Sequence, residues 1–118
     1  MKAFWNDKGR GVDANDAIEV DMGKASLIWS DEVLGVEGNF YGLIDDLDRT
    51  IQFYFVEGIP DHIGDARHLK IVDVDFPCPE KNGSYTKRIT IGEVHDYIEK
   101  AFSVGADPDQ YEVEFSLW

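Results

Sequence analysis

The residues best suited to chemistry in this chain are carboxylates, and they fall into separate arrangements. Asp45, Asp46 and Asp48 stand between two aromatic, apolar runs in "YGLIDDLDRTIQFYFV". Counted from Asp46, a calcium-binding EF-hand register puts Asp48 at the third position, Thr50 at the fifth and Glu57 at the twelfth. The sixth position holds Ile51, where the sharp turn of such a loop needs glycine, and the residues from Thr50 onward alternate as a strand. A hairpin is therefore expected, its aspartates bonding nearby backbone N–H groups.

A second set, Asp61, His62, Asp65 and His68 in "PDHIGDARH", has metal-ligand chemistry, and a helix would bring Asp61, Asp65 and His68 to one face. Gly64 weakens such a helix, and beyond the set only His95 could add an imidazole. A connecting loop with a short helical turn is expected, and no metal is assigned. Asp73 and Asp75 lie two strand residues apart, about 6.6 Å along the strand, a spacing compatible with a glycosidase but common to any alternating acidic strand. Cys78, in "FPCPE", has neither a neighbouring base nor a helix N-terminus to generate a thiolate. Nucleophile-elbow, Walker and dinucleotide glycine patterns are absent. No catalytic residue and no cofactor follows, and the chain is not expected to be an enzyme.

What remains is alternation. Glu19/Asp21, Asp73/Asp75 and Glu112/Glu114 are each an acidic pair opposite an apolar pair. If their strands share one sheet, the pairs form an acidic patch on its exposed face, with Lys70, Lys87 or Arg88 between them to relieve repulsion. Tyr54, with Tyr41, Trp29 and Trp118, supplies candidate apolar anchors for an interface. The predicted partner-binding set is Glu19, Asp21, Asp45, Asp46, Asp48, Tyr54, Asp73, Asp75, Glu112 and Glu114, the hairpin aspartates being the secondary part of it. The plainer alternative is that these acids only mark the solvent side.

The elements that must position these residues are mostly strands. Ala17–Met22 and Ala25–Trp29 read as a hairpin about Gly23-Lys24, and Asn39–Asp45 with Thr50–Val56 as a second. Leu69–Phe76 alternates clearly before Pro77 and Pro79 stop it, and Asn82-Gly83 turns into Ser84–Ile91. The last strand, "YEVEFSLW", directs Tyr111, Val113, Phe115 and Leu117 inward. One helix, spanning about residues 92–103, is marked by a Thr90/Glu93 capping box and by Val94, Ile98, Ala101 and Phe102 at helical spacing. Gly105 and Pro108 stop it. The sum is a single α+β domain over residues 1–118, a mainly antiparallel sheet of about six or seven strands with one principal helix packed on one face.

Composition narrows the partner. With 24 acidic against 11 basic residues the formal charge is −13. That field repels nucleic acid and anionic membranes and draws in basic proteins, although solubility or adaptation to high salt would leave a similar balance. No apolar run approaches the roughly 18 residues of a membrane span, and "MKAFWNDKGRG" lacks the apolar core of a secretory signal. With one cysteine as well, a reducing cytoplasm is the expected location.

The "NFYGLIDD" to "TIQFYFV" hairpin and the closing unit "TIGEVHDYIEKAFSVGADPDQYEVEFSLW" resemble, in style over most of the chain, bacterial toxin-immunity proteins of polymorphic-toxin and contact-dependent growth inhibition systems. The resemblance implies a cytoplasmic protein that binds and blocks the toxic domain of a cognate toxin, often a basic nuclease. It assigns no residue. Two other readings stay open: a DNA-mimic inhibitor of a nucleic-acid-binding protein, and a small metal-assisted hydrolase using Asp61, His62, Asp65 and His68.

Overall fold

Burial at every second residue builds the sheet. Along Val72–Cys78, Val72, Val74 and Phe76 are buried while Asp73 and Asp75 lie half-buried on the opposite side; along Thr50–Phe55, Ile51, Phe53 and Phe55 alternate with Gln52 and Tyr54 in the same way. The computed structural model describes residues 1–118. Its strands are β1 (Lys2–Asp7), β2 (Arg10–Val12), β3 (Ile18–Glu19), β4 (Phe40–Ile44), β5 (Thr50–Phe55), β6 (Val72–Cys78), β7 (Gly83–Ile89) and β8 (Glu114–Leu117). All eight join one antiparallel sheet in the order β2-β1-β4-β5-β6-β7-β8, with β3 also pairing β1. Two helices, α1 (Met22–Glu32) and α2 (Val94–Val104), complete an α+β fold.

Both helices pack on the same face. Ala25, Ile28 and Trp29 of α1 and Val94, Ile98 and Ala101 of α2 share a core with Tyr41, Leu43, Phe53, Val74 and Phe76. Trp29 stacks on Phe55 with ring centroids 5.1 Å apart, and Tyr97 of α2 meets Phe53 edge-on at 6.5 Å. The capping box forms as expected. Glu93 N–H donates to Thr90 Oγ1 at 3.3 Å, while Glu93 Oε1 accepts from Thr90 N–H at 3.1 Å and opens a turn that runs into α2. Thr90→Ala should therefore cost about 1 kcal/mol and lower the melting temperature by roughly 3–6 °C in a thermal melt, with no change to the uncovered face.

The hairpin expected over Ala17–Met22 and Ala25–Trp29 does not form. Only Ile18–Glu19 is strand, and Asp21 caps α1, its Oδ1 accepting the Lys24 N–H at 2.7 Å. Ala25, Ile28 and Trp29 recur at helical spacing and bury on the sheet, leaving Leu27 exposed inside a contiguous apolar run. The sequence reading also passed over β1 and β2, joined by a two-residue turn in which Lys8 and Gly9 both take positive φ, as a type I′ hairpin turn requires. Pro77 does not end β6. The β5–β6 ladder stops at Gln52–Asp75 while β6–β7 pairing continues to Cys78–Gly83, so the proline lies where one side of β6 has no strand to donate to. At the C-terminal end Tyr111 is buried as expected, beside Phe76 at 4.7 Å, and Val113 packs partly buried against the core; Phe115 and Leu117 lie on an edge strand that no helix covers.

Candidate protein-interaction face

Residues directly paired across antiparallel strands point to the same side of a sheet. The register therefore lays out the face opposite the helices. One row runs Gly42, Gln52, Asp75, Thr86, Glu114, and the next runs Phe40, Tyr54, Asp73, Arg88. Phe4 of β1 lies against Gly42, where a Cβ would overlap its ring; Gly42 is thus held to glycine by close approach. Phe4 meets Phe40 edge-on at 6.3 Å and Phe40 tilts against Tyr54 at 5.5 Å, so an aromatic strip leads from β1 into the acidic half of the face.

Beside that strip lies an open groove of about 680 Å³, with Gln52, Tyr54, Asp73, Asp75, Ser84 and Trp118 among its walls and no lysine or arginine. Asp73 is paired: Arg88 Nε donates to its Oδ1 at 3.1 Å. Asp75 has no cationic partner. Burial, opposed by the Ser84 hydroxyl and reinforced by the charge of Asp73, pushes its carboxyl above the usual carboxylate range. Burial and the Asp75 charge likewise raise the Tyr54 hydroxyl, which donates to Gln52 Oε1 at 3.0 Å. Trp118 Nε1–H donates to Ser84 Oγ at 2.7 Å.

The predicted partner-binding residues divide by place. Tyr54, Asp73, Asp75 and Glu114 come together on the uncovered face. Glu19, Asp45, Asp46 and Asp48 gather at another end, where the Met1 ammonium lies 3.4 Å from Glu19 and 3.6 Å from Asp46. Asp48 holds a positive φ in the β4–β5 turn. Asp45 is engaged within the fold, accepting from the backbone of Leu47, Arg49 and the distant Ala106 and pairing with Arg49. Asp21 is a helix cap, and Glu112 precedes β8 beside Lys87, Lys100 and Tyr111. Sequence reasoning missed Phe4, Phe40, Gln52, Ser84 and Thr86. Gln52 had shown itself opposite the apolar positions of β5, but only the strand order places it next to Asp75.

The other candidate chemistry does not assemble. Arg67 hydrogen-bonds Asp65 and holds it at about 2, and no group of three or more histidine, cysteine or acidic side chains is arranged to grip an ion. The Cys78 thiol donates to Glu80 at 3.1 Å, an acceptor that pushes its pKa up, away from the thiolate a nucleophile needs. No helix is long and apolar enough to cross a membrane. In comparison with known proteins, the chain matches no family model, no curated protein and no solved structure.

Proposed function

We propose that this chain is an acidic, cytoplasmic binding protein that neutralises a cognate toxin by stoichiometric occlusion, its partner being a basic protein such as a nuclease domain. The observation that supports this is the division of the sheet. Both helices lie on one face, and the other is left as an open surface where Asp73 and Asp75 adjoin the Phe40–Tyr54 aromatic pair and Glu114 lies two strands farther out than Asp75. Carboxylates steer a cationic surface into contact, and aromatic side chains fix its register at low entropic cost. The formal charge of −13 gives that steering long reach at low salt.

The test is co-expression with the product of the neighbouring reading frame. Growth should be rescued, a one-to-one complex should be recovered, and the association rate should fall as salt rises. Equal rescue against unrelated toxic nucleases would replace specific immunity with charge mimicry of nucleic acid. Failure to bind any basic toxic domain would remove the proposal.

A further inference from the structure

We infer that the groove bounded by Tyr54, Asp75 and Trp118 is a receptor for one arginine side chain of a protein partner. The inference rests on the proposed binding role only for the source of that arginine; the recognition chemistry is in the groove itself. Asp75 is a half-buried carboxylate with no cation beside it, whereas its neighbour Asp73 is already paired with Arg88. A carboxylate taken out of water without a counter-charge gains from any cation that can reach it, and burial already disfavours its charged form.

The walls select the kind of cation. Trp118 is 71% exposed, yet its indole N–H is tied to Ser84, which fixes the ring at the groove while leaving its surface open. Tyr54 stands on the neighbouring strand, close enough for the Asp75 charge to act on its hydroxyl. A planar guanidinium stacks on aromatic rings and offers a carboxylate two parallel N–H donors. An ammonium is a more strongly hydrated point charge and uses such walls less well. Glu37, also on the lining, adds negative charge, and no lysine or arginine lines the groove. A groove of about 680 Å³ has room for the side chain and the backbone that delivers it.

The experiment titrates the purified chain with N-acetyl-argininamide, following the Trp118 indole N–H by NMR, with the lysine and citrulline analogues in parallel. Arginine should give a saturable shift, lysine should bind at least about threefold more weakly, and uncharged citrulline should give none. Asp75→Asn should weaken arginine binding about tenfold or more, and Asp31→Asn, on α1 across the sheet, should leave it unchanged. Spectra that match the wild type away from the groove confirm that each variant is folded. No saturable arginine shift, an equal response to citrulline, or an undiminished response in Asp75→Asn overturns the inference. The assay contains no toxin, so the two proposals fail separately. Probe binding without toxin rescue overturns the toxin reading alone, and rescue without probe binding overturns the arginine receptor alone.

Discussion

Asp45→Ala should destabilise the fold by about 3 kcal/mol, although the residue sits in an acidic surface turn. Its side chain is 7% exposed and every oxygen is engaged. Oδ1 accepts N–H groups from Leu47 at 3.0 Å and Arg49 at 2.9 Å. Oδ2 accepts Arg49 Nε at 2.8 Å and the N–H of Ala106, a buried residue 61 positions away, at 2.9 Å. One carboxylate thus clasps the β4–β5 hairpin to the segment leaving α2. The clasp also holds Gly105 to glycine: φ there is +78°, and a Cβ would lie 2.8 Å from Asp45 Oδ2. Truncation to alanine leaves the Ala106 N–H unpaired and frees the Arg49 guanidinium. Hydrogen bonds to charged groups contribute about 1.5–3 kcal/mol each in such settings. In a urea titration the midpoint should fall with the slope unchanged. A loss under about 1 kcal/mol would mean that packing alone joins hairpin and helix.

The pH dependence of the clasp follows from the direction of its shift. Burial alone would raise the Asp45 carboxyl, but the Ala106, Arg49 and Leu47 hydrogen bonds outweigh it and hold the group below its usual range. A depressed carboxylate contributes stability that is fully present above the unfolded value of about 4 and is lost as pH falls through the folded value. Glu93, lowered by the Thr90 hydrogen bonds of the capping box, acts in the same direction. Acid should therefore loosen both ends of α2.

What the sequence disclosed of this molecule was what local signals encode. The sequence signals of α2 are local: the cap at Thr90, the apolar spacing of Val94, Ile98 and Ala101, and the positive-φ stop at Gly105. The signals of α1 are not. Its apolar residues sit within the contiguous run "ASLIW", which periodicity cannot assign to strand or helix, and Gly23 occupies its first turn. The contact that organises it, Trp29 against Phe55, is made in three dimensions. The interaction face has the same division. Alternation shows which residues of each strand oppose the core, and so it identified Tyr54, Asp73, Asp75 and Glu114. It does not show where a strand begins or ends, and so it grouped with them Asp21, which caps α1, and Glu112, which precedes β8. Asp45 stands in an acidic hairpin turn between two apolar runs, which marks a surface position, while its decisive partner, Ala106, is distant along the chain.

Replacing Asp73 and Asp75 together by asparagine should weaken the cognate partner by roughly thirty- to hundredfold, about 2–3 kcal/mol, mostly through faster dissociation. The matched control is Asp46→Asn with Asp48→Asn. Each double variant removes two negative charges from −13, leaving −11, so long-range steering is reduced equally in both. The Asp48 position, with φ of 59°, tolerates asparagine, which enters that region readily. The control should lose no more than about threefold, chiefly in association rate, because exposed charges act through a screened field. Neither change to the face should unfold it. The Asp73–Arg88 pair is partly exposed, and such pairs contribute about 0–1 kcal/mol. Asp75 has a folded pKa raised by burial, so its ionisation costs stability as pH rises toward and through that value; asparagine removes this cost at neutral pH. Side chains whose removal costs the fold little and the complex much are held in place for the partner. Binding measured at two salt concentrations, with melting temperatures alongside, separates the cases. An equal loss in both variants would mean that the partner senses net charge and not the uncovered face.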